Sequence, residues 1–149
     1  MLKSSEIKTI LDKVVNKIPA VAGYSIVYDD NDFAQKRRDF ECLDTQVHLV
    51  AVLPNSNLSG INKDSSYYSN QLILFIIQPQ DGKDVEINND QIDFAIDQER
   101  KITKLFSSWG GTLECPVKGF ETLGSSFEPV RDYHTTIGVT ATYIFRKNA

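Results

Sequence analysis

Apolar residues near the start of the chain recur with the period of a helix. Ile7, Ile10, Leu11, Val14, Val15 and Ile18 fall on one stripe. Ser4 or Ser5 is placed to accept a backbone N–H at the helix start, and Glu6 sits at the positive end of the dipole. Pro19 ends the helix by disfavouring the α conformation at Ile18. Residues 23–28 then form a short strand rich in β-branched and aromatic side chains. Residues 31–43 show no clean period, so they read as an excursion or a long exposed hairpin arm.

Residues 45–53 and 71–78 are apolar at successive positions, the pattern of central strands covered on both faces. Between them, residues 54–70 are dense in Asn, Ser, Gly and Asp and read as a long loop. Beyond a turn at Pro79–Gly82, the pattern predicts a second helix capped by Asn88 or Asn89, with Asp90 and Asp93 in its first turn. Ile92, Ala95, Ile96, Ile102, Leu105, Phe106 and Trp109 share its apolar face, while Glu99 and Lys101 point elsewhere. Gly110 and Gly111 stop it. Residues 112–117 and 120–123 suggest short strands. Over residues 135–145, Ile137, Val139, Ala141, Tyr143 and Phe145 face one way and Gly138, Thr140 and Thr142 the other, as in a half-buried antiparallel strand.

The expected order is α-β-β-β-α-β-β in one α+β domain over residues 1–149, a mainly antiparallel sheet with two packed helices. Its length suffices for a real core. A net charge of −4 gives no global cationic field for nucleic acid. Charges interrupt the N-terminal apolar stretch, and the run 72–77 is too short to span a bilayer, so no membrane association is expected. Cys42 and Cys115 read as two reduced thiols of a cytoplasmic protein, with a disulfide left open.

Catalytic chemistry finds little support. His48 lies in an apolar strand and reads as a satisfied sheet histidine, and His134 reads as an exposed turn histidine beside Asp132. No nucleophile elbow, phosphate loop or zinc spacing is present, and the DDND run at 29–32 lacks the glycine and acidic positions of a calcium loop. Asp90, Asp93 and Asp97 oppose the apolar stripe and read as a hydrated face. The expectation is a non-enzyme with no metal and no cofactor, working through protein contacts. Lys36, Arg37 and Arg38 between Phe33 and Phe40 form a basic, aromatic candidate contact, and Tyr67 and Tyr68 mark the long loop.

The order of elements, with residues 127–147 (FEPVRDYHTTIGVTATYIFRK), resembles the tail-terminator and tail-completion (head–tail joining) proteins of tailed phages. An aromatic–Glu–Pro stretch and an RDY-like turn, containing Arg131 and Tyr133, lead into a strand with Gly138 near its start and alternating apolar residues beyond. The resemblance runs over the whole chain in outline. It implies a virion structural protein made in the host cytoplasm, self-assembling as a homo-oligomeric ring, commonly a hexamer. Such a ring would cap the tail tube and meet the neck or connector, with DNA at most passing through the lumen. It implies no catalytic residues. Ring contacts are heterologous, so Lys36, Arg37 and Arg38 of one subunit are expected to meet Asp90, Asp93 and Asp97 of the next. A monomeric protein-binding adaptor using the same loops is the alternative reading, and a small enzyme gathering His48 or His134 with carboxylates is the third.

Overall fold

The computed structural model describes residues 3–37, 44–53, 69–82, 84–109, 115–117 and 120–147. Among them, the chain runs α1 (Ser4–Lys17), β1 (Val21–Val27), α2 (Asp30–Lys36), β2 (Val47–Val52), β3 (Ser69–Pro79), α3 (Val85–Ser108), β4 (Phe120–Tyr133) and β5 (Thr136–Lys147). The five strands form one sheet in the order β1-β2-β3-β5-β4. Only β1 and β2 run parallel; the other three neighbouring pairs are antiparallel. The expected α+β class with a mainly antiparallel sheet is what the chain adopts, with one more helix than the expected order contained.

α1 and α3 cover one face of the sheet. Ile7, Ile10, Leu11 and Val14 of α1 and Ala95, Ile102 and Phe106 of α3 meet Leu49, Leu74, Ile76, Val139, Ala141 and Tyr143. Burial of these apolar groups supplies the main driving force for folding. β5 alternates as its sequence dictates, with Ile137, Val139, Ala141, Tyr143 and Phe145 all buried. The opposite face carries a smaller core of Val27, Phe33, Val50 and Ile77. The interior strands β2 and β3 therefore bury apolar side chains on both sides, which explains their unbroken hydrophobic runs.

α2 replaces the first part of the expected excursion. Asp29 caps it, its carboxylate accepting Asp32 N–H at 2.8 Å, and Asp32 in turn accepts Tyr28 N–H at 3.0 Å. The acidic run at 29–32, which lacks the pattern of a calcium loop, is thus a helix start, with Lys36 at the negative end. Its apolar anchor is Phe33, only 1% exposed, which puts this expected contact residue in the core.

The other differences are local. α1 begins after Lys3, before the expected serine caps, because Glu6 Oε1 reaches back to accept Lys3 N–H at 3.0 Å. α3 begins at Asp84, whose carboxylate accepts Glu86 and Ile87 N–H at 2.9 and 3.1 Å. Asn88 is consequently one turn inside the helix and buried, and Asp90 and Asp93 lie beyond the first turn. Glu99 points inward at 3% exposure. It follows Ala95 by four residues and precedes Ile102 by three, so the helix period places it on the apolar stripe. The carboxylate is satisfied there by the Thr103 hydroxyl at 2.6 Å and the Tyr143 hydroxyl at 3.3 Å. Residues 115–117 form a bend, and 120–123 open the much longer β4. Of the expected loop 54–70, residues 69 and 70 open β3, and the rest, like residues 38–43, Gly110 and Gly111, lies outside the described residues.

Candidate functional site

The turn joining β4 to β5 is built against backbone preference. Asp132, His134 and Thr135 have φ of 57, 49 and 59°, although none is glycine. Left-handed backbone suits the tight turn of a hairpin, whose twist matches the strands it joins. A β-branched threonine there is an outlier that the surroundings must hold in place.

Three sets of contacts hold it. The Gln80 backbone N–H donates to Thr135 O at 2.8 Å, and Gln80 Oε1 accepts Asp132 N–H at 2.9 Å. Arg37, just past α2, donates from Nε to His134 O at 3.1 Å and from a terminal nitrogen to Thr135 O at 3.4 Å. Asp30, in the first turn of α2, accepts the Tyr133 hydroxyl and faces His134 Nε2 at 2.9 Å. A helix and a hairpin tip more than a hundred residues apart are thereby clamped together.

Electrostatics and packing agree with this reading. The Tyr133 and His134 hydrogen bonds hold the Asp30 carboxyl below the usual carboxylate range. Burial, then the Asp30 bond and charge, push the Tyr133 phenol up to about 12. Tyr133 stacks on Phe75 with centroids 5.4 Å apart and meets Phe33 edge-on at 4.9 Å. His134 lies 4.6 Å from the Tyr133 ring, again edge-on. These geometries are the favourable ones for aromatic pairs. The result is a rigid, partly exposed turn presenting an imidazole, a carboxylate and a phenol, suited to recognising another surface.

The expected contact residues are redistributed. Phe33, Arg37 and Tyr133 converge here, although Phe33 serves as the buried floor. Lys36 pairs with Asp32 at 3.6 Å and donates to the Ile26 carbonyl, while Arg37 is spent on the turn. Neither is a free cation awaiting a neighbouring helix. Arg131 donates to Asn89 Oδ1 at 3.1 Å and so ties β4 to α3. Asp90, Asp93 and Asp97 are exposed on α3, in the helix layer away from the α2 side. Arg38, Phe40, Tyr67 and Tyr68 lie outside the described residues. Sequence reasoning missed Asp30, Gln80 and Thr135. The Asx-x-x-Asp spacing at 29–32 could have signalled the helix that carries Asp30, but nothing in the sequence signals its pairing with His134.

His48 is the other histidine of interest. It projects from β2 to the α2 side, 7% exposed, with Nε2 3.0 Å from Ser25 Oγ. Burial pushes its pKa down to about 4. It is a neutral sheet histidine, as its apolar strand implies. Among the described residues no group of three or more His, Cys, Asp or Glu side chains is arranged to hold a metal ion, and no helix is long and apolar enough to cross a membrane. No protein-family model matches the chain, and a search of the curated proteins finds no relative.

Proposed function

We propose that this chain is a structural assembly protein of the tail-terminator kind, closing into a ring at the head-proximal end of a phage-type tail. One observation carries the reading beside the resemblance of residues 127–147. The sheet ends in two unlike edges, β1 and β4, and an exposed aromatic side chain stands at each. Tyr28 follows β1 and is 70% exposed; Phe127 on β4 is 42% exposed. A ring subunit must present two different complementary surfaces, one to each neighbour. Large exposed aromatics are the usual anchors of such contacts.

The contact is made by side chains and not by strand addition. Lys36 occupies the Ile26 carbonyl and Asp32 the Tyr28 N–H at the β1 edge. Pro129 and Glu128 blunt the β4 edge. Edges protected in this way favour a defined ring over open fibrous stacking. The hairpin turn clamped to α2 then serves as a rigid contact for the neck, the connector or the tube.

The test is the mass of the purified chain over a concentration series, by native mass spectrometry and negative-stain imaging, with and without isolated tail tubes. Closed rings, commonly of about six subunits, that are lost when Phe127 or Tyr28 becomes Ser are expected. A folded protein that stays monomeric even with tubes added would overturn the reading.

A further inference from the structure

The outward side of α3 carries a run of charges, and these are sorted by sign. Glu86, Asp90, Asp93, Asp97, Arg100, Lys101 and Lys104 are all exposed. At 3.6 residues per turn they fall on one stripe directly opposite Ala95, Ile102 and Phe106. The four carboxylates occupy its N-terminal part and the three cations its C-terminal part.

Two ordinary explanations do not account for this sorting. The helix dipole rewards acids early and bases late, but its effect fades within the first and last turns. Asp93 and Asp97 lie in the third and fourth turns, and the last turn of α3 contains no basic residue. Pairing within the helix is the second explanation. Yet the ion pairs within 4 Å among the described residues are Lys36–Asp32 and His134–Asp30, and neither involves the stripe.

A stripe sorted by sign is complementary to itself in the antiparallel sense. We infer that α3 pairs side by side with α3 of a second copy of this chain, related by a two-fold axis that crosses the helix between Asp97 and Arg100. That register sets Asp93 opposite Lys104 of the second copy and Asp97 opposite its Arg100 and Lys101, and the symmetry repeats each contact. The paired segment spans about 16 Å at ~1.5 Å per residue. Half-buried Phe94 and Ile96, already packed on the core, flank it and would gain cover. A parallel pairing would set carboxylate against carboxylate and is excluded by repulsion. The inference does not rest on the ring reading: ring contacts join unlike surfaces, whereas this one joins like to like.

Charge reversal tests it. In D93K/D97K the stripe is positive throughout the paired segment 93–104; in R100E/K101E/K104E it is negative throughout that segment. Mass is measured by sedimentation equilibrium for the wild type, each variant and their equimolar mixture, with circular dichroism to verify folding. At about 0.05 M salt the wild type is expected to pair through α3, as single subunits or as rings joined in twos, and at about 0.5 M, where screening is strong, to lose that pairing. Each variant alone should self-associate at least about tenfold more weakly, a change of ~1.4 kcal/mol. Their mixture should recover a heterodimer. The same series in the F127S background separates this contact from ring closure, because pairing through α3 should survive there. A wild type that is monomeric at low salt in that background would overturn the inference. So would folded variants that associate as the wild type does, or a mixture that stays apart.

Discussion

His48 offers the sharpest test of how the α2 side of the sheet is built. From β2 its ring is buried beside Ser25 of β1, and burial lowers its pKa from 6.5 to about 4. In the unfolded chain the imidazole binds a proton at about its ordinary pKa of ~6.5. Between these values the unfolded state is protonated while the folded state is not, so stability falls as the pH falls through that window. Above the window the group is neutral in both states and contributes nothing to the pH dependence. At about pH 4.5 the difference in proton binding amounts to roughly 2–3 kcal/mol, taking ~1.4 kcal/mol for each tenfold. That is a large fraction of the stability of an ordinary domain.

The assay is urea unfolding of the wild type and His48→Gln at about pH 7.5, above the window, and at about pH 4.5, near its lower end. Glutamine keeps a polar group near Ser25 and removes the titration. Asp30, whose pKa is also lowered, destabilises both proteins alike as the pH falls, so the comparison isolates His48. The wild type should lose roughly 2–3 kcal/mol more than the variant over this interval. Equal losses would refute the reasoning, because they would mean that the imidazole is solvated or protonated in the fold.

Three further outcomes follow from other sites. Gly138→Ala would put a Cβ 2.0 Å from the Ile76 carbonyl oxygen, forcing β3 and β5 apart; a loss of about 3 kcal/mol or more is expected, read from the denaturation midpoint or from the yield of folded protein. Phe33→Ala should cost about 3–5 kcal/mol and weaken the near-UV signal of the aromatic cluster, whereas a loss below about 1 kcal/mol would mean that α2 does not dock. Thr135→Gly relieves a left-handed β-branched residue; the relief of about 1–2 kcal/mol, less glycine's entropic cost, leaves a gain of roughly 0.5–1 kcal/mol and a melting point higher by a few degrees. A lower melting point would contradict the turn geometry.

Much of the scaffold was decided by local pattern. The stripe from Ile7 to Ile18, the unbroken apolar runs of β2 and β3 and the alternation of β5 each encode the period of their own element, and a period survives whatever it packs against. The class of fold and the hydrated acidic face of α3 followed from them. α2 was hidden because seven residues are too few to display a helical period, and because Asp29 and Asp32 resemble turn chemistry until they are seen capping. Glu99 was misplaced by its charge, although its spacing from Ala95 and Ile102 fixed its direction; the Thr103 hydroxyl and, from a distant strand, the Tyr143 hydroxyl make that burial tolerable. The clamp at the hairpin turn lay wholly beyond local reasoning. Asp30 meets His134, Arg37 bonds the His134 carbonyl, and Gln80 holds Thr135. Each of these contacts spans tens to a hundred residues, so only the pairing of the strands and the docking of Phe33 beneath Tyr133 decide them.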